Sequence, residues 1–276
     1  MDSSRATRAV VVFFVIAFLF PWLGWTALAL SGLPHSSGLG IALFMTGGFC
    51  SIGGIVAEYV ARGRGGVSEL FRRAVRARVA PQWWAFALLL PLVWCALGAV
   101  LYGLQHGGVG PVKWSALARL ASPSLLVWVV SGPLGEEFGW RGFLLPRMLE
   151  RFRPRTASLV LGVIWVIWHV PLYVRGYFAT PLGTLNFGGA VVCLALLLTL
   201  LHLRARASLL LAIVFHWAVN AAPAVVAGMF PAQPRRDGPD SYDLVAIVAV
   251  TVVFALASRL WRLPSEALLP DGPVSV

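Results

Sequence analysis

Apolar runs of about 20 residues recur along almost the whole chain, and each is long enough to cross a hydrocarbon layer of about 30 Å as a helix. Little chain remains for a soluble domain. The 276 residues are 59% hydrophobic and 12% charged, with a mean hydropathy of +0.81, far from the composition of a water-soluble domain. In hydrocarbon the backbone must satisfy itself, which leaves helices or closed barrels. Runs of this length and uniform apolarity specify helices. The expected fold is therefore all-α, a polytopic transmembrane helical bundle forming a single domain over 1–276.

Hydropathy places about eight spans, near 9–30, 39–61, 82–102, 122–146, 156–175, 187–203, 208–229 and 242–260. Between the second and third lies 67–80, where Leu70, Phe71, Val75 and Val79 alternate with Arg72, Arg73, Arg76 and Arg78. This pattern predicts an amphipathic helix on the membrane surface. Arg5 and Arg8 precede the first run as in a signal peptide, but the run is too long and is read as a membrane helix.

The net charge of +11 comes from arginines scattered between spans, not from one stripe, so a lipid bilayer and not nucleic acid is the expected partner. Alternate loops divide 16 basic residues from 5, and Arg141 alone lies inside a span. Positive residues gather on the cytoplasmic side, which predicts a multi-pass cell-membrane protein with both termini cytoplasmic. Cys50, Cys95 and Cys193 lie in apolar runs without paired spacing and read as small buried hydrophobes.

Ionisable groups inside the spans are the informative ones. The fourth span reads Ser131-Gly-Pro-Leu-Gly-Glu-Glu-Phe-Gly-Trp-Arg-Gly, with Glu136, Glu137 and Arg141 in an apolar helix. A charge at the bilayer centre costs about 2.5 to 3.5 kcal/mol, so the three require partners or a purpose. Glu137 and Arg141, four apart, share a helix face and can pair; Glu136 lies about 100° around the helix and points elsewhere. Gly132, Pro133, Gly135, Gly139 and Gly142 keep this helix thin or kinked. The fifth span carries His169, and the seventh carries His216 and Asn220, four apart on one face. At 1.5 Å per residue, Glu136, His169 and His216 lie about 16, 20 and 15 Å from their charged cytoplasmic helix ends, near mid-membrane. Common depth on three helices is what a single site requires.

Other polar residues have simpler readings. His202 lies at a helix end beside Arg204, and His35 and His106 lie in outer loops. Glu58 can pair with Arg62, four residues on. The tryptophans read mostly as interface belts and packing, with Trp140, Trp165, Trp168 and Trp217 beside the polar cluster.

Glu136-Glu137-x-x-x-Arg141, then His169, then His216-x-x-x-Asn220, resembles the three-motif signature of the CPBP family of intramembrane proteases, which includes the CAAX prenyl endopeptidases. The resemblance covers about 120–225, the expected catalytic core. One position departs from it: the family usually has Phe four residues before the second-motif histidine, where this chain has Trp165. The resemblance implies an intramembrane endopeptidase in which Glu136 and His169 activate a water. His216 and Asn220 would stabilise the oxyanion, with Glu137 and Arg141 as support. A poorly solvated carboxylate is a competent proton acceptor, and prepositioned donors lower the barrier at a carbonyl.

Family members are called metalloproteases, and Glu136, His169 and His216 are the candidate ligands for a zinc ion with one position open to water. Arginine- and alanine-rich composition with a single lysine fits a bacterial chain, for which a peptide or membrane-protein substrate is expected in place of a prenylated one. Two alternatives remain. One is a proton- or cation-coupled transporter using the same residues, the other a non-catalytic membrane scaffold or immunity protein.

Overall fold

The computed structural model describes residues 3–34, 36–122, 128–130, 132–174, 180–231, 233 and 240–258. His35, read above as an outer-loop residue, and Ser131, Arg175, Arg235, Arg236, Arg259 and Arg262, used above for the motif or the charge balance, lie outside the described residues. Among the described residues the structure is helical, with no strand.

The chain forms α1 (Ser3–Ser31), α2 (Gly38–Phe44), a 3-10 turn (Met45–Gly48), α3 (Phe49–Ala74), α4 (Pro81–Gln105) and a 3-10 segment (Trp114–Ala121). There follow α5 (Pro133–Glu137), a π-helix (Phe138–Leu144), α6 (Leu145–Leu149), α7 (Pro154–Trp168) and α8 (Val170–Val174). The last three are α9 (Pro181–Arg204), α10 (Leu209–Met229) and α11 (Ser241–Ala257). Five helical stretches among the described residues are long and apolar enough to cross a membrane, and α7 and α11 are shorter apolar helices. This is the polytopic all-α architecture that the hydropathy demands.

Helix starts follow local chemistry. Pro81, Pro154 and Pro181 open α4, α7 and α9, where a missing N–H costs nothing. Ser208 caps α10 by accepting from the Leu211 N–H, and Asp240 caps α11 by accepting from the Tyr242 and Asp243 N–H groups. α1 lies along α3, α10 along α4, and α7 along α9. Val11, Val15, Leu19 and Leu23, spaced by four along α1, are exposed. Such a stripe suits lipid and would be a liability in water.

Three expectations change. The fourth span is not one continuous helix: a turn at Gly132 and the ring of Pro133 start a new helix, which widens into the π-helix beyond Glu137. The fifth span stops at Trp168, because Pro171 cannot donate to the carbonyl four residues back. His169 therefore sits at the break between α7 and α8. Helix α3 runs on past a kink at Gly63, where φ is +65°, and ends at Ala74, so 75–80 is not helical. Its last turn does not simply lie on a surface: Leu70 and Arg73 are buried against the bundle.

Helix α3 crosses the motif helix backbone on backbone. A methyl group on Gly54 would stand 2.6 Å from the Phe138 carbonyl oxygen, and one on Gly139 would stand 2.5 Å from that of Cys50. Small residues on both sides permit this approach. It buries the glutamate-bearing segment behind α3.

Candidate active site

The motif residues lie at the centre of the bundle, where α5, the π-helix, α7 and α10 meet. Glu137 and Arg141 are fully buried and form an ion pair, with Nη1 3.0 Å from Oε1. The same Oε1 accepts a hydrogen bond from Nδ1 of His216 at 2.7 Å. A carboxylate acceptor places the proton on Nδ1 and directs Nε2 away from Glu137. Arg141 Nε and Nη2 have no hydrogen-bond partner among the described residues; the guanidinium lies instead 4.2 Å over the Trp165 ring.

Glu136 points elsewhere, as its position on the helix requires. Its Oε2 accepts from Trp165 Nε1 at 2.7 Å and from Trp140 Nε1 at 3.3 Å. Both indoles therefore hold one oxygen. The other, Oε1, is placed by Gly132: a methyl group there would meet Asn220 Nδ2 at 2.9 Å, Glu136 Oε1 at 3.9 Å and His216 Nε2 at 4.0 Å. Three polar atoms from three motif residues thus face one point that the glycine leaves clear. Among the described residues, the Asn220 amide has no hydrogen-bond partner.

His169 reaches this group through Trp165. Its Nδ1 lies 2.7 Å from the Trp165 carbonyl oxygen, an acceptor only, so Nδ1 carries the proton and Nε2 the lone pair. Around the imidazole stand Trp25, Trp168, Tyr173 and Phe187. Trp168 Nε1 donates to the Ala17 carbonyl oxygen, which fastens α7 to α1.

Trp165 is the residue that sequence reasoning undervalued. Expected only to pack beside the histidine, it donates to Glu136, accepts from His169 through its carbonyl, lies under Arg141 and meets the His216 ring edge-on at 5.4 Å. Trp140, four residues after Glu136, carried a usable signal, since that spacing sets donor and carboxylate on one face. Glu58 is buried and pairs with Arg62, as its spacing predicts, and also with Arg147 at 3.0 Å, outside the motif cluster. His106 is exposed and bonded to the Tyr102 carbonyl oxygen, and His202 is half-buried.

The donor set does not fit a zinc ion. Among the described residues, no three His, Cys, Asp or Glu side chains are grouped so as to hold a metal. Two indole N–H groups occupy Glu136 Oε2, and both histidine Nδ1 atoms are engaged. Glu136 Oε1 and the two histidine Nε2 atoms are not so engaged, but the three side chains are not grouped as ligands of one ion, and the contacts present are those of a hydrogen-bonded site.

Comparison with known proteins covers the same stretch. Residues 118–222 match the family of Rce1-like type II CAAX prenyl endopeptidases. A curated relative, CAAX prenyl protease 2 of Methanococcus maripaludis, is 30% identical over 144 residues. That alignment takes in 48% of this chain and 52% of the relative, so the chain spans about half the length of the curated relative it matches. The comparisons bear out the CPBP resemblance. Within the matched segment, Trp165 stands where the CPBP family usually has Phe, and its indole N–H is what that exchange adds to the site.

Proposed function

We propose that the chain is an intramembrane endopeptidase that hydrolyses a peptide bond with a water activated by Glu136 and His169. The observation that carries this reading is the convergence of Glu136 Oε1, His216 Nε2 and Asn220 Nδ2 on the space before Gly132. A water beside Oε1 gives its proton to the carboxylate as it attacks the carbonyl carbon. His169, its Nδ1 proton fixed on the Trp165 carbonyl, offers Nε2 as a second acceptor. The oxyanion then takes hydrogen bonds from the Asn220 amide and from Nε2 of a His216 ring carrying both protons, with Nδ1 donating to Glu137. The carboxyl of Glu136 returns the proton to the leaving amine. Glu137 and Arg141 orient His216 and touch no reacting atom.

Two names bear on the substrate. The matched family is described as a prenyl endopeptidase and the relative as a prenyl protease, so a prenylated C-terminal peptide is one substrate to offer; an unmodified peptide or membrane-protein segment is the one favoured by the chain's composition. Placement in the cell membrane with both termini cytoplasmic belongs to the same proposal. To test it, the purified chain in liposomes is given farnesylated and unmodified peptide libraries, and new termini are mapped by mass spectrometry. Defined cleavage lost in Glu136→Ala supports the proposal. Proton or cation flux that depends on Glu136, with no peptide bond cut, would establish the transporter reading instead.

A further inference from the structure

Pro146 lacks an N–H, so the helical donor that would serve the carbonyl four or five residues back, Gly142 or Arg141, is missing. This happens at the end of the π-helix, one turn beyond the glutamates and deep in an apolar bundle. An unsatisfied carbonyl there is costly. Arg73 supplies the donors from the end of α3. Its Nη2 lies 2.9 Å from the Arg141 carbonyl oxygen and its Nη1 3.2 Å from that of Gly142. Arg147 adds a third side-chain donor, to the Phe143 carbonyl oxygen at 2.8 Å.

The third arm of the same guanidinium goes to a different element. Arg73 Nε donates to the Ala207 carbonyl oxygen at 3.0 Å, in the turn that leads into α10 and its His216. That turn holds Arg206 and Ala207 at φ of +55° and +53°, a conformation that side-chain-bearing residues rarely adopt. Arg76 donates to the Arg206 carbonyl oxygen, and Ser208, the cap of α10, donates to the Arg76 carbonyl oxygen at 2.7 Å. The end of α3 thus clamps the start of α10.

We propose that Arg73 is a positioning residue for the hydrolytic site: one buried guanidinium holds the π-helix that directly follows the two glutamates and the turn before the histidine-bearing helix at a fixed separation. Nothing in the catalytic motifs calls for it. Only a planar fork reaches three carbonyls on two elements at once; an ammonium reaches fewer and a methyl group none. Through the π-helix the fork sets Glu136, Glu137 and Arg141, and through Ala207 it sets the register of His216.

The activity arm rests on the hydrolytic reading, so the test carries a second arm that does not. Arg73→Ala and Arg73→Lys are made in the full chain in detergent, with Arg119→Ala as comparator. The Arg119 guanidinium donates to the Ala224 carbonyl oxygen, well past His216 on α10. Hydrogen exchange is followed on peptides covering 138–149 and 207–216, alongside kcat and KM. Arg73→Ala is expected to speed exchange in both segments together and to lower kcat about tenfold, about 1.4 kcal/mol, with KM within about twofold. Arg73→Lys falls between, and Arg119→Ala leaves both segments at the wild-type rate. Where Arg73→Ala does not fold, Arg73→Lys decides by the same readouts. Exchange unchanged, or raised in one segment only, overturns the proposal, as does an Arg73→Lys protein indistinguishable from wild type. If the wild type cuts no peptide, the hydrolytic reading fails and the exchange arm still decides whether Arg73 joins the two elements.

Discussion

Replacing Glu137 by Gln removes the only ion-pair partner that Arg141 has among the described residues, while keeping an oxygen for His216. Both Glu137 and Arg141 are 0% exposed, so the remaining guanidinium is an uncompensated buried charge. Breaking a buried pair from one side costs about 3 to 5 kcal/mol. At about 2 to 4 °C per kcal/mol for a chain of this size class, the expected fall in Tm is about 10 °C. The pair itself is poorly satisfied, since Glu137 Oε2 and Arg141 Nε and Nη2 lack hydrogen-bond partners among the described residues. Its net worth against an uncharged pair is therefore small. The double variant Glu137→Gln/Arg141→Met is expected to regain at least about half of the lost stability, because no unpaired charge remains. Activity is not expected to return, because the uncharged amide no longer balances a His216 ring that must carry both protons to donate Nε2–H to the oxyanion. Thermal unfolding of Glu137→Gln, Arg141→Met and the double variant in one detergent, alongside cleavage rates, measures both effects. A double variant whose destabilisation equals the sum of the single ones would refute the reasoning, and one that regains activity would remove Glu137 from the orientation of His216.

Gly132→Ala puts a methyl group 2.9 Å from the Asn220 amide and into the space faced by Glu136 and His216; cleavage is expected to fall at least about tenfold with Tm nearly unchanged, read by paired kinetics and thermal scans. Trp165→Phe removes the shorter of the two indole bonds to Glu136 and Trp140→Phe the longer, so kcat/KM should fall about tenfold in the first and less in the second; the reverse order would show that bond length does not rank them. Cleavage should persist after exhaustive treatment with chelator, because the donor set does not form a coordination sphere; loss that added zinc restores would count against that reading.

Much of this was legible in the chain. Apolar run length specified the helices, and the four-residue spacings of Glu137 with Arg141 and of Glu58 with Arg62 specified ion pairs that the structure contains. What escaped were donors serving distant acceptors. Arg73 reads as the polar face of a surface helix, because the carbonyls it serves lie where a proline 73 positions along the chain withholds one helical donor, through a helix widened to π geometry. Trp165 reads as packing, because an indole in an apolar run displays its ring and conceals its N–H until a carboxylate is seen beside it. The breaks at Gly132 and His169 were signalled by Pro133 and Pro171. In a membrane span a proline is compatible with a kink or a stop, and tertiary packing selects which.

The measurement closest to the central claim is the cleavage rate of Glu136→Gln beside the wild type, on one mapped peptide bond, in proteins matched for Tm. With Glu136 as the base, the wild type cuts the bond and the variant is slower by about 10² to 10⁴-fold. A folded Glu136→Gln protein cutting the same bond at the wild-type rate would contradict it.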